Sequence, residues 1–130
     1  EIRLSLVGSE MCIRDRAYIG DGVYELIIRT ILVKKGNCPV NRLHKKASSL
    51  VKAGAQSAIM EVIEEELTPE ELSVYRRGRN AHSPTMAKHA TMADYRRATG
   101  FEALMGYLYL KEDYTRMLTL VRMGIGEDIL

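Results

Sequence analysis

The chain has no tryptophan, a single phenylalanine, three prolines and two cysteines among 130 residues. Cys12 and Cys38 lack CxxC spacing and a neighbouring His/Cys cluster, so they offer neither a disulfide framework nor a zinc site and fit a reducing cytoplasm. The scarcity of aromatics leaves little for stacking on single-stranded bases. No apolar run approaches the roughly 18 residues of a membrane span, so a soluble protein is expected. Residues 4–8, LSLVG, are too short for the apolar core of an export signal.

What is present is a 46% hydrophobic chain, enough for one domain with its own core. The net charge of +2 hides an uneven distribution. Residues 61–71 carry six Glu and no Lys or Arg, whereas residues 76–97 hold Arg76, Arg77, Arg79, Lys88, Arg96 and Arg97 against Asp94 alone, with His82 and His89. That pattern predicts a basic face; the alternative is an ordinary solvated helix surface.

The pattern predicts an all-α fold. Residues 1–16 have no clean period, resemble a translated sequencing adapter, and read as a non-native leader before a domain at 17–130. Apolar residues at three-and-four spacing give a helix over 17–35 with Ile19, Val23, Leu26, Ile27 and Ile31 inward, stopped by Gly36 and Pro39. A second runs from an Asn41 cap to 52, and a third over 55–66 with Ala58, Ile59, Val62 and Ile63 inward. Thr68, Pro69 and Glu71 make a capping box for a fourth, which ends near Gly78. A polar loop over 80–92 leads to a fifth over 93–110, with small residues Ala98, Gly100, Ala103 and Gly106 permitting close helix contact. A sixth spans 112–123, ended by Gly124 and Gly126.

Two acids lie in apolar, glycine-flanked helical runs: Asp21 in YIGDGVYE and Glu102 in ATGFEALMGY. An ionised carboxylate in such a setting needs a partner. Antiparallel helices can bring the two together, and oxygen-only ligands favour magnesium or manganese, which suit phosphodiester hydrolysis. Glycines beside each acid cost helix propensity and suggest close approach of backbone, metal or substrate. The other reading ties each acid to a Lys or Arg. RRGRN at 76–80 suits phosphate binding through planar guanidinium forks, with Asn80, Lys88, Arg96 and Arg97 extending the surface. Duplex backbone is its best target. His44, His82 and His89 read as surface or phosphate contacts, while Tyr18, Tyr24, Tyr107 and Tyr109 read as core or interface residues, Tyr18 and Tyr107 near enough in sequence to order the acids.

The stretches AYIGDGVYELIIR, NRLHKKA, AGAQSAIM, RRGRN and YRRATGFEALMGYLYL, in that order over residues 17 to about 120, resemble Mini-ribonuclease III, the short branch of the ribonuclease III family. The resemblance implies a helical ribonuclease III domain without an appended double-stranded-RNA-binding domain. It implies a cytoplasmic homodimer that cuts double-stranded RNA, leaves 5′-phosphate ends and trims precursor 23S ribosomal RNA. Asp21 and Glu102 match the family's magnesium-binding catalytic acids, with manganese as a substitute ion, and Glu25 and Asp94 could contribute through water. Three departures stand out: Gly22 replaces an alanine, Thr99 stands where longer members have an aspartate, and Arg14 and Ala17 replace two further acids. These motivate a competing expectation, a nuclease-inactive RNA-binding or ribosome-assembly protein.

Overall fold

The computed structural model describes residues 12–36, 38–81 and 91–126. They form helices α1 (Ile13–Lys34), α2 (Val40–Leu50), α3 (Ala53–Ile63), α4 (Pro69–Asn80), α5 (Met92–Leu110) and α6 (Tyr114–Ile125), with a 3-10 turn at Glu64–Glu66 after α3. No strand occurs among the described residues, as the all-α expectation required.

Helix α5 is the axle. Phe101, Leu104, Met105 and Leu108 are fully buried, and α1, α3 and α4 pack around it. Burial of each such side chain contributes roughly 1.5–3 kcal/mol, which outweighs the glycines α5 carries. Those glycines set the helix spacing. A methyl group on Gly20 of α1 would sit 1.7 Å from the Glu102 carbonyl oxygen, and one on Gly106 would sit 1.9 Å from the Arg16 carbonyl oxygen. The two contacts run in opposite chain order, so α1 and α5 are antiparallel with their backbones nearly touching. Farther along, the Tyr24 ring meets Phe101 edge-on at 5.0 Å, and its hydroxyl donates to the Leu50 carbonyl at 2.7 Å, which ties the end of α2 to α1.

The Thr68 capping box forms in full: Thr68 Oγ1 accepts from the Glu71 N–H at 3.2 Å, and Glu71 accepts from the Thr68 N–H at 2.9 Å. Glu71 is buried, and Arg116 of α6 completes its shell with two 2.8 Å hydrogen bonds. Burial by itself would raise the Glu71 carboxyl, but Arg116 and the Thr68 N–H outweigh it and hold it below the usual carboxylate range.

Several expectations are corrected. Helix α1 begins at Ile13, four residues before the expected start at 17, and Arg16 is buried. Asn41 is not the α2 cap; Pro39 takes that place, and the Asn41 side chain accepts from the Arg42 N–H. In helix α3, Ile59 and Ile63 face inward as expected, joined by Gln56, Ser57 and Met60, whereas Ala58 and Val62 face solvent. Leu26 points outward as well. Gly124 lies inside α6 against Ile59, and Gly126, with φ of 78°, ends the helix.

Candidate active site

The close α1–α5 contact is what brings the two acids together. Gly20 seats directly on the Glu102 backbone, and Asp21 follows it by one residue. Asp21 is exposed and Glu102 half-buried, and their carboxyl groups are near enough to share a hydrogen bond. Burial first, then the negative charge and hydrogen bond of Asp21, push the Glu102 carboxyl up to about 8, partly opposed by the Gln56 amide that faces it. None of the ion pairs among the described residues reaches either acid. Of the two readings open in the sequence, tying each acid to a Lys or Arg therefore finds no support here. Two carboxyls held side by side, with one forced toward its protonated form, are an arrangement that a divalent cation relieves. The donor set fits: all ligating atoms are oxygen, as magnesium and manganese prefer.

Gln56 is the residue that sequence reasoning missed. It is 2% exposed, and its Nε2 donates to the Val51 carbonyl at 3.0 Å, while its Oε1 has no hydrogen-bond partner. A buried orphan of this kind costs about 1–3 kcal/mol. The signal was present, since positions 56, 59, 60 and 63 follow helical i, i+3, i+4, i+7 spacing and place a glutamine on an apolar face.

The other expected residues are placed as follows. Glu25 accepts from Arg29 at 2.9 Å in an exposed i,i+4 pair. Thr99 donates to the Tyr95 carbonyl at 3.0 Å, so its hydroxyl serves its own helix. Asp94 stands in the first turn of α5, two turns before Glu102. Among the described residues no group of three or more His, Cys, Asp or Glu side chains is placed to hold a metal. Tyr18 is 82% exposed, and the Tyr107 hydroxyl donates to Glu70 at 3.1 Å, so neither tyrosine orders the acid pair. Gly22 does not serve close approach either, because a methyl group there would meet open space.

Arg76, Arg77 and Asn80 are exposed at the end of α4, and Arg79 lies over the Tyr75 ring, 5.6 Å from its centre. This end of α4 is anchored beside the acid turn, since Gly78 packs on Thr99, Gly100 and Ala103 of α5. Arg96 is exposed, while Arg97 pairs with Glu61 of α3 at 2.7 Å. Lys88, His82 and His89 lie outside the described residues. A second basic stretch is harder to see in the sequence: residues 26–60 contain no Asp or Glu and carry Arg29, Lys34, Lys35, Arg42, Lys45, Lys46 and Lys52. Lys52 caps α3 next to Val51, whose carbonyl accepts from the Gln56 amide that faces Glu102.

Comparison with known proteins decides the family. The ribonuclease III domain model matches residues 16–113. The chain belongs to the ribonuclease III family. Among curated proteins, Mini-ribonuclease 3 of Clostridium tetani is 48% identical over 111 residues, covering 85% of this chain and 74% of that one. Mini-ribonuclease 3 of Enterococcus faecalis is 48% identical, covering 84% of each. A crystal structure of a Fusobacterium nucleatum protein superposes with a TM-score of 0.79 at 27% identity, covering 87% of each chain. As a ribonuclease III family member the protein is an endoribonuclease of double-stranded RNA, which overrides the nuclease-inactive alternative. The family depends on divalent metal, and no helix among the described residues is long and apolar enough to cross a membrane.

Proposed function

We propose that Asp21 and Glu102 are the catalytic acids, that they hold Mg²⁺ or Mn²⁺, and that the protein uses this site to cut double-stranded RNA to 5′-phosphate products. The observation that carries the reading is the Glu102 carboxyl held against that of Asp21 by the α1–α5 contact, with no Lys or Arg paired to either among the described residues. When bound, the cation supplies charge stabilisation at the phosphodiester and a more acidic water. The chain's own part is to fix two carboxylates on rigid, touching helices, so that the reacting phosphate is placed without reorganisation.

Arg76, Arg77, Arg79, Asn80, Lys88, Arg96 and Arg97 hold the duplex backbone, joined by Lys45, Lys46 and Lys52. The support is charge and exposure, with Arg97 contributing least because Glu61 occupies it. Glu25, engaged by Arg29, contributes to the metal only through water. The protein works as a cytoplasmic homodimer, one site per strand, in maturation of precursor 23S ribosomal RNA. Support for pairing comes from Tyr18, Leu26 and Val33, exposed at 82%, 65% and 63% along one flank of α1 that begins a turn from Asp21. A second copy seated there would bring two acid pairs to one duplex.

The test is cleavage of a long RNA duplex in Mg²⁺. Asp21→Asn and Glu102→Gln should each lower the rate by at least about 100-fold while duplex binding without metal persists. Cleavage near the wild-type rate by either variant overturns the assignment.

A further inference from the structure

Two carboxylates are few for a cation that must orient a phosphodiester, and the structure offers one more oxygen. The Gln56 amide cannot be turned over: its contact at 3.0 Å is to the Val51 carbonyl, an acceptor, so the nitrogen must occupy that position and Oε1 the other. Its second amide hydrogen is available to Glu102, whose carboxyl faces the same group. Oε1 is left buried and without a partner, although nearly every buried polar atom in a folded protein has one. An orphan acceptor on the amide that faces Glu102 calls for a donor, and a hydrated cation brings donors.

We propose that Gln56 is a positioning residue and the third oxygen of this site, its amide nitrogen steadying Glu102 while Oε1 accepts from the water shell of the cation held by Asp21 and Glu102. The inference rests on the metal-site reading above. Magnesium keeps several of its waters when bound by one or two carboxylates, so a neutral acceptor in its outer shell adds orientation without adding charge. Gln56 thereby takes a place that Thr99, bonded to its own helix, cannot fill.

The test measures Mn²⁺ binding to the full chain by electron paramagnetic resonance, alongside the Mg²⁺ dependence of cleavage and the metal-free melting temperature. Gln56→Met keeps the length of the side chain and removes the amide. It should weaken Mn²⁺ binding by roughly tenfold or more and raise half-saturating Mg²⁺ in proportion, with duplex affinity in the absence of metal unchanged. A purely structural role would lower the melting temperature and leave Mn²⁺ affinity where it was, and that result overturns the proposal. If Gln56→Met does not fold, Gln56→Glu decides: it keeps an oxygen at the site, so Mn²⁺ affinity at or above wild type supports the proposal and a fall overturns it. Asp21→Asn serves as the control. Loss of Mn²⁺ binding there with none in Gln56→Met sinks the Gln56 proposal alone, whereas retention in Asp21→Asn sinks the metal-site reading beneath it.

Discussion

Gly20 and Gly22 flank Asp21 and read alike in sequence, yet they do opposite things. A methyl group at Gly20 would collide with the Glu102 carbonyl carbon and oxygen at 2.6 and 1.7 Å, both backbone atoms that cannot move aside, whereas at Gly22 it meets nothing. Gly20→Ala should therefore destabilise the protein by about 3 kcal/mol or more and separate the acid pair. Gly22→Ala should raise stability by up to about 1 kcal/mol, the helix-propensity gain. Urea unfolding of the two variants checks both, and equal effects would contradict the α1–α5 contact. Helix periodicity alone could not tell them apart, because the difference lies in what another helix presents. Glu102 adds a pH dependence. Its folded value of about 8 lies above the ordinary 4.5, so the folded state binds its proton more tightly. Without divalent ion, that contribution is complete below about 4.5 and is lost as pH rises to about 8, at about 1.4 kcal/mol for each pH unit crossed. Melting temperature in chelator should fall across this window, and Glu102→Gln should flatten the fall.

At the scale of elements, every helix was legible, because each carries a periodic apolar face and several have explicit stops. The Thr68 capping box was legible in atomic detail, since all its partners lie within four residues. The fault lay in phase. The apolar residues of α3 place Ile59 and Ile63 inward correctly, but the core adds Met60 rather than Ala58 and Val62, which carries Gln56 in with them. An error of that kind hid the third polar group of the site, since a helix of mostly small and apolar residues has no strongly charged side to fix its rotation. The Glu71–Arg116 pair was also out of reach, as it joins α4 to α6 across 45 residues. Arg116→Met leaves a buried carboxylate with only the Thr68 contacts and should cost about 2–4 kcal/mol at neutral pH. The Glu71 carboxyl is depressed in the fold, so its contribution is present above about 4.5 and is lost as pH falls through its folded value. The variant's deficit should accordingly shrink in acid, and a deficit independent of pH would show that the pair contributes through packing instead.

For the whole molecule, charge distribution is the relevant quantity. The arginines of α4 and α5 stand out in the sequence because they are dense, whereas the acid-free stretch over 26–60 does not, because its cations are spread over three helices. Of that stretch, Lys52 caps α3 four residues before Gln56, and Lys45 and Lys46 are exposed on α2. Replacing Lys45, Lys46 and Lys52 together by Gln should weaken duplex binding and reduce the slope of log affinity against log salt by roughly one unit per lost phosphate contact. Cleavage at saturating RNA should stay close to wild type. An unchanged slope would confine the RNA to the α4–α5 arginines. The claim on which all of this depends is that Asp21 and Glu102 share one divalent ion, and the most direct measurement is anomalous X-ray diffraction from crystals soaked in Mn²⁺. The account predicts a peak at the two carboxyls that would hold the ion; a Lys or Arg side chain seated between the acids, with no ion, would contradict it.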